Sequence, residues 1–391
     1  MIYSVDYIDN CSKIMMVSDS AFELLSSIQL RCTLLKNKDT SLIITDQNSN
    51  SEILYSNLKK SDLFTNVFHA KAKNFPKCLL NTQREIDEIS KDPDLYRKLC
   101  QDYLSNELFK GINQKYDLFI SSEEDMFSRA VYWKLKKDNQ NIKAALLGEG
   151  MMTYSDFHKI TSRTIISNPK YSFKDFSEDY QVVFMMRRDL FHDNTKIAVE
   201  YPDFSEVSSN TLQRINQIMG YKPGKQRISN KIIYFEGGYV TDGGKIDDVN
   251  LVQYLASHYG KENVMVKCHP RSREDRFADI GVGKIDNSYI PWEVTLLNGD
   301  CENSVFMAAY SLSIMHPIVF NIGDTDAKSI ALFNMLDIYV DTIHKDTDRS
   351  DCVFYKKIMQ SDSRFLIPGN YDQLQSYIDS ELKRRKIQIY H

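Results

Sequence analysis

The chain is poor in the features that assign a protein at sight. Its 391 residues carry 49 Lys and Arg against 53 Asp and Glu, a formal charge of -4. A nucleic-acid groove, which needs a concentrated basic face, is therefore not expected. The seven cysteines are scattered, with no Cys-x-x-Cys pair and no metal-ligand spacing. That excludes a disulfide framework and points to reduced thiols in the cytoplasm. Asp6 and Asp9 interrupt any apolar run near the start, so no secretory signal is expected there. The most apolar stretch, Ser304 to Phe320, is too short to span a bilayer and contains His316-Pro317. No internal repeat and no low-complexity tract is visible.

What is present is ordinary in amount and informative in order. Apolar and charged residues make up 42% and 26% of the chain, as in globular proteins generally. The length exceeds what one hydrophobic core usually supports, so two domains are expected. Residues 1–150 alternate strand and helix. Lys13–Val17, Ser41–Thr45, Asn66–His69, Tyr116–Ser121 and Ile142–Leu147 read as strands. Ala21–Leu35, Ser51–Lys60, Thr82–Leu108 and Asp125–Lys137 read as helices between them. Continuous apolar runs such as Ile142–Leu147 suit a parallel sheet buried on both faces.

After an irregular stretch and a helix over Ser208–Met219, the Pro-Gly segment 222–230 reads as a linker. A second alternation follows it: strand Lys231–Phe235, helix Asp247–Tyr259, strand Asn263–Cys268 and a helix opened by Pro291. Beyond lie an expected helix Ser304–Ile314, strand Pro317–Ile322, helix Lys328–Met335 and helix Asp372–Arg385. The expected architecture is α/β, two doubly wound Rossmann-like domains, 1–221 and 231–391, facing one another across a cleft.

Ligands of open α/β sheets bind outside the carboxyl ends of the strands, and two short strings fall there. Gly148-Glu149-Gly150 follows one apolar strand, and Lys267-Cys268-His269-Pro270 ends another. Glu149 between two glycines could remove a proton from a sugar hydroxyl, or simply be an exposed acid in a turn. His269, with Pro270 stiffening its turn and Lys267 and Arg271 beside it, could donate to a phosphate or protonate a leaving group. It could equally be a half-buried histidine bonded to backbone. Asn303-Ser304 at a helix N-terminus could hold a phosphate, or Ser304 could be a plain N-cap. Glu293 in a first helical turn could accept from ribose hydroxyls, although the dipole alone favours an acid there. His316-Pro317, read as preceding a strand, is assigned to structure.

Asp324-Thr325-Asp326 and Asp346-Thr347-Asp348 have the spacing of a metal clamp, but with 53 acids such triplets arise by chance, and no metal is expected. Gly237-Gly238 lacks the third glycine of a dinucleotide fingerprint. The tail Lys383-Arg384-Arg385-Lys386 could touch anionic lipid at the inner face of a membrane, or be a solvated helix end.

Taken in order, Glu149-Gly150, His269-Pro270 and Asn303-Ser304 resemble the signatures of the bacterial lipooligosaccharide sialyltransferases, and more distantly the capsule polysialyltransferases. The segment Val17-Ser-Asp-Ser-Ala-Phe-Glu-Leu-Leu25 is similar to that family's first strand-to-helix loop. The resemblance implies a GT-B glycosyltransferase acting on CMP-sialic acid, with inversion, and without metal or other cofactor. It implies Glu149 as general base, His269 at the CMP phosphate, Ser304 holding that phosphate and Glu293 at the ribose. The remaining donor contacts implied are Gly150, Lys267, Pro270 and Asn303. Two positions depart from the pattern: Gly148 stands where an acid often does, and Asn303 where a hydroxyl would. The partners implied are a nucleotide-sugar donor and an oligosaccharide acceptor, often galactose-terminated, and such a fold permits a homodimer. The alternatives are a hexosyltransferase using a UDP-sugar, a polyol-phosphate transferase, and a glycan-binding scaffold without activity.

Overall fold

Strand β1 (Lys13–Ser18) is buried from Ile14 onward and lies third in a seven-stranded sheet. Its companions are β2 (Asp39–Thr45), β3 (Val67–Ala70), β4 (Leu118–Ser121), β5 (Lys143–Gly148), β6 (Val182–Met185) and β7 (Ile197–Glu200). They lie in the order β3-β2-β1-β4-β5-β6-β7 with every pairing parallel. The order reverses direction between β1 and β4, the mark of a doubly wound fold.

The crossovers carry α1 (Ala21–Cys32), α2 (Ser51–Lys60), α3 (Gln83–Ile89), α4 (Pro93–Tyr103), α5 (Met126–Asp138) and α6 (Asp175–Asp179), and α7 (Ser209–Met219) follows the last strand. Local chemistry sets their ends. Ser20 and Glu23 form a reciprocal capping box at α1, and Asp125 caps α5 through the Ser128 amide. Gly220 closes α7 in the left-handed region, where a side chain would be strained. The helical region expected over Thr82–Leu108, with Pro93 as its point of interruption, is divided there: the Asp92 carboxylate caps α4, with Pro93 in its first turn.

The computed structural model describes residues 7–384 other than 49, 90–91, 113, 123, 149–153, 155–172, 174, 192–194, 226–227, 239, 241–243, 271, 273, 286–289, 310–311, 324–326, 337 and 340–354. The chain divides into two units, one running to Asp203 with Val207–Gly220, the other taking Phe204–Glu206 and the chain from Tyr221. The segment that reads as a linker belongs to the second unit. There Tyr221 and Gly224 donate to Asp300, and β8 (Ile228–Ser229) pairs with a strand 73 residues further on.

The second unit contains β9 (Ile232–Phe235), β10 (Lys245–Ile246), β11 (Val264–Lys267), β12 (Gly283–Lys284), β13 (Cys301–Glu302), β14 (Val305–Ala308), β15 (Lys328–Ala331), β16 (Ile338–Tyr339) and β17 (Phe365–Leu366). Six of them form a parallel sheet in the order β12-β11-β9-β14-β15-β17. Its helices include α8 (Asp248–Tyr259), α9 (Trp292–Leu297), α10 (His316–Val319) and α11 (Tyr371–Arg384). Both units are thus Rossmann-like α/β, as the alternation implied. Among the described residues no helix is long and apolar enough to cross a membrane.

Three elements of the second unit differ from expectation. The helix expected over Ser304–Ile314 is β14, in register with β9 (Val305 opposite Ile232). A short apolar run buried on both faces has no periodicity to separate strand from helix. The strand expected over Pro317–Ile322 is instead the helical turn α10, with Pro317 where its missing donor costs nothing. Lys328–Ala331, read as the start of a helix, is β15, whose run Ser329–Ala331 is buried.

Candidate functional site

The second sheet reverses direction between β9 and β14, so its crevice lies outside their carboxyl ends. Strand β9 runs from Phe235 straight into Glu236, which is 4% exposed. Neighbouring β11 ends on Lys267, 7% exposed, and continues through Cys268 to the half-buried His269 and the exposed Pro270. An apolar strand carries these polar groups to one edge because the sheet is parallel and register-locked, Lys267 opposite Phe235.

The Glu236 carboxylate binds the turn that holds His269. Its Oε2 accepts from the His269 amide at 3.0 Å and from the Ser272 hydroxyl at 2.7 Å, while Arg276 Nη1 lies 3.3 Å from Oε1. Arg276 is itself paired with the buried Asp248, which also accepts from the Tyr234 hydroxyl at 2.9 Å. Burial pushes the Asp248 carboxyl up, and Arg276 works against that shift.

A second ionic group sits where α9 begins. Trp292 packs edge-on against Phe235 and Phe306, with ring centroids 5.1 and 5.8 Å apart, which fixes the helix against the sheet. The next residue, Glu293, is 3% exposed and pairs through Oε1 with Nδ1 of His316, also 3% exposed. Burial raises the Glu293 carboxyl, but the His316 contact outweighs it and the net position is below the usual range. Burial lowers the Lys267 ammonium, and the Glu293 charge pulls it partly back. Lys267, Glu293 and His316 therefore form one electrostatic group at the carboxyl edge. The charged form of a buried cation is favoured by an anion brought beside it.

His269, Pro270, Lys267 and Glu293 are thus brought to one edge of the second sheet. Asn303 and Ser304 are not. They precede β14 and sit at the amino edge, where Ser304 Oγ accepts from the Lys231 amide at 3.2 Å. The helix N-terminus on which their phosphate role depended is absent, because the element they open is a strand. In the first unit Gly148 is the last residue of β5, opposite Met185. Glu149 and Gly150 lie outside the described residues, as do Arg271, Asp324-Thr325-Asp326, Asp346-Thr347-Asp348, Arg385 and Lys386.

Two site residues were missed by the sequence reading. His316, expected before a strand and hence structural, instead follows β14 and opens α10. Glu236 stood beside the noted Gly237-Gly238 and directly after an apolar strand, which was its only local signal.

No protein-family model matches the chain, and neither does any curated protein sequence. Solved structures similar to it include the glycotransferase of kitacinnamycin, at 8% identity over 96% of this chain and 91% of that one, with a TM-score of 0.46. The spinosyn rhamnosyltransferase SpnG complexed with spinosyn aglycone is similar at 10% identity over 95% and 91%, with a TM-score of 0.43. A UDP-GlcNAc 2-epimerase from Methanocaldococcus jannaschii is similar at 11% identity over 97% and 92%, with a TM-score of 0.44. Likenesses this distant, transferases and an epimerase alike, assign no activity to this chain.

Proposed function

We propose that the chain is an inverting, metal-independent glycosyltransferase that moves sialic acid from CMP-sialic acid to a hydroxyl of a galactose-terminated glycan. The observation that carries this reading is the edge where β9 and β11 end, where a fixed His269 turn and the buried Lys267 stand beside the topological reversal. The order of the motifs along the chain supports the choice of donor.

In the proposed step the acceptor oxygen attacks the anomeric carbon while the bond from that carbon to the CMP phosphate oxygen breaks. Glu149 takes the proton from the acceptor hydroxyl. His269 donates a proton or hydrogen bond to the departing phosphate, and Lys267 balances the charge that develops there. CMP leaves as a monophosphate, so an imidazole and one buried ammonium can replace a metal. Glu293, already paired with His316, is read as fixing the start of α9 beside the donor rather than as taking a ribose hydroxyl. Asn303 and Ser304 have no part in the donor site.

The test is nucleotide release from CMP-sialic acid beside UDP-glucose and UDP-galactose, with lactose as acceptor and no metal. Release of CMP alone is expected, with turnover falling at least about 100-fold in Glu149→Gln and in His269→Ala proteins that still fold. Release of UDP instead would discard the donor and favour the hexosyltransferase. Release of neither nucleotide would overturn the transferase reading.

A further inference from the structure

We infer that Glu236 is a positioning residue, which fixes the His269 turn in the geometry that the leaving phosphate meets. The inference rests on the proposed role of His269 and goes beyond it by assigning a residue that makes no contact with donor.

The Glu236 carboxylate is nearly fully buried and is spent on protein donors. Oε2 accepts from both ends of a four-residue turn, the His269 amide at 3.0 Å and the Ser272 hydroxyl at 2.7 Å. The turn is closed independently by the Ser272 amide on the His269 carbonyl at 2.9 Å. Bracketing both ends fixes the backbone from which the imidazole projects. Arg276 holds the other oxygen at 3.3 Å and is anchored by Asp248 at the start of α8 and by the Ile246 carbonyl. The clamp therefore ties the turn to a central strand and to a helix at once. With Oε1 and Oε2 so engaged, the carboxylate is not placed to accept a substrate proton. Its effect on chemistry must pass through His269, where a displacement of about 1 Å can cost about 100-fold in rate.

A glutamine at 236 keeps the shape but not the function. Its single carbonyl oxygen can face the His269 and Ser272 donors or Arg276, and its amide then opposes the other. Ser272→Ala removes one bond and leaves the carboxylate in place, and Ser272→Thr restores that bond.

The experiment combines amide exchange at His269 with donor kinetics in the wild type, Glu236→Gln, Ser272→Ala and Ser272→Thr. Glu236→Gln is expected to speed His269 exchange by about 10- to 100-fold, as loss of a bond to a charged acceptor should. It is also expected to lower kcat for CMP release by about 10- to 100-fold with the donor KM little changed. Ser272→Ala should do both to a smaller degree, and Ser272→Thr should recover most of the loss. Unchanged exchange at His269 in Glu236→Gln would overturn the clamp. Faster exchange with unchanged kcat would reduce Glu236 to a structural staple and overturn its positioning role. If Glu236→Gln fails to fold, the Ser272→Ala and Ser272→Thr pair decides by the same two readouts. If the wild type releases no nucleotide, the transferase reading fails on its own, and exchange at His269 still decides whether the clamp exists.

Discussion

The two sheets wind alike and differ in what they carry to their carboxyl edges. In the first unit β1, β2 and β4 end on Ser18, Thr45 and Ser121, all fully buried. Their partners are neighbours in the sheet or in sequence: Thr45 donates to Asp19 at 2.6 Å, and Ser121 to Ser128 at 2.8 Å. The ion pair on this side, Arg129 with Glu124 at 3.3 Å, lies in the helix start rather than on a strand. In the second unit the buried Glu236 follows β9, as the buried Asp19 follows β1, and β11 in addition ends on the buried cation Lys267. The Glu236 charge is met by residues 33 to 40 positions away in sequence. A hydroxyl that gives one bond to a neighbouring strand end steadies the sheet. A buried carboxylate shared by an amide, a hydroxyl and a guanidinium fixes a turn against other elements, which is what a site for an ionic ligand requires.

The largest expected effect falls on the Glu293–His316 pair. Removing one partner strands a buried charge, so His316→Ala should cost the second unit about 3–5 kcal/mol in denaturant unfolding. An unfolding free energy within about 1 kcal/mol of the wild type would erase the contrast between the two edges. The pair also sets a sign for acid. Although burial works against it, the folded Glu293 carboxyl lies below its usual value. Its contribution is thus present above the unfolded carboxylate value of about 4.3 and is lost as pH falls toward the depressed folded value. Glu293→Gln should flatten the stability of the second unit over that window, and an unchanged acid limb would count against the assignment.

A change of middle size tests the other edge. Thr45→Val keeps the shape and removes the donor to Asp19, which should destabilise the first unit by about 1.5–3 kcal/mol. Binding of CMP should not move, because no charge at the second edge is touched. Calorimetric titration with CMP beside an unfolding curve separates the two outcomes, and weakened nucleotide binding would count against placing the nucleotide at the second edge alone.

How far the sequence could be read follows from the same physics. The first sheet was legible because its buried parallel strands are continuous apolar runs divided by helices with their own caps, as at Ser20, Asp125 and Ser208. The Lys267 to Pro270 string was legible because a strand end followed by proline needs nothing from elsewhere in the chain. Glu236 was not, since its meaning lies in an amide 33 residues away. His316 was hidden by one error of type: with Ser304–Ile314 read as a helix, the next two elements also exchange helix for strand, and only the last helix, Tyr371–Arg384, agrees with expectation.

That error makes the smallest effect the most discriminating. Were Ser304 at a helix N-terminus beside a phosphate, Ser304→Ala would lower turnover together with donor affinity. Placed as it is, its hydroxyl accepts from the Lys231 amide at 3.2 Å and lies 3.4 Å from the Glu302 carbonyl, at the amino edge of β14. The expected cost is about 1 kcal/mol of stability, with the kinetics of CMP release unmoved. Loss of donor affinity in a folded Ser304→Ala protein would return the phosphate to the amino edge of the sheet. It would also remove the reason for reading Lys267 and His269 as the groups that receive it.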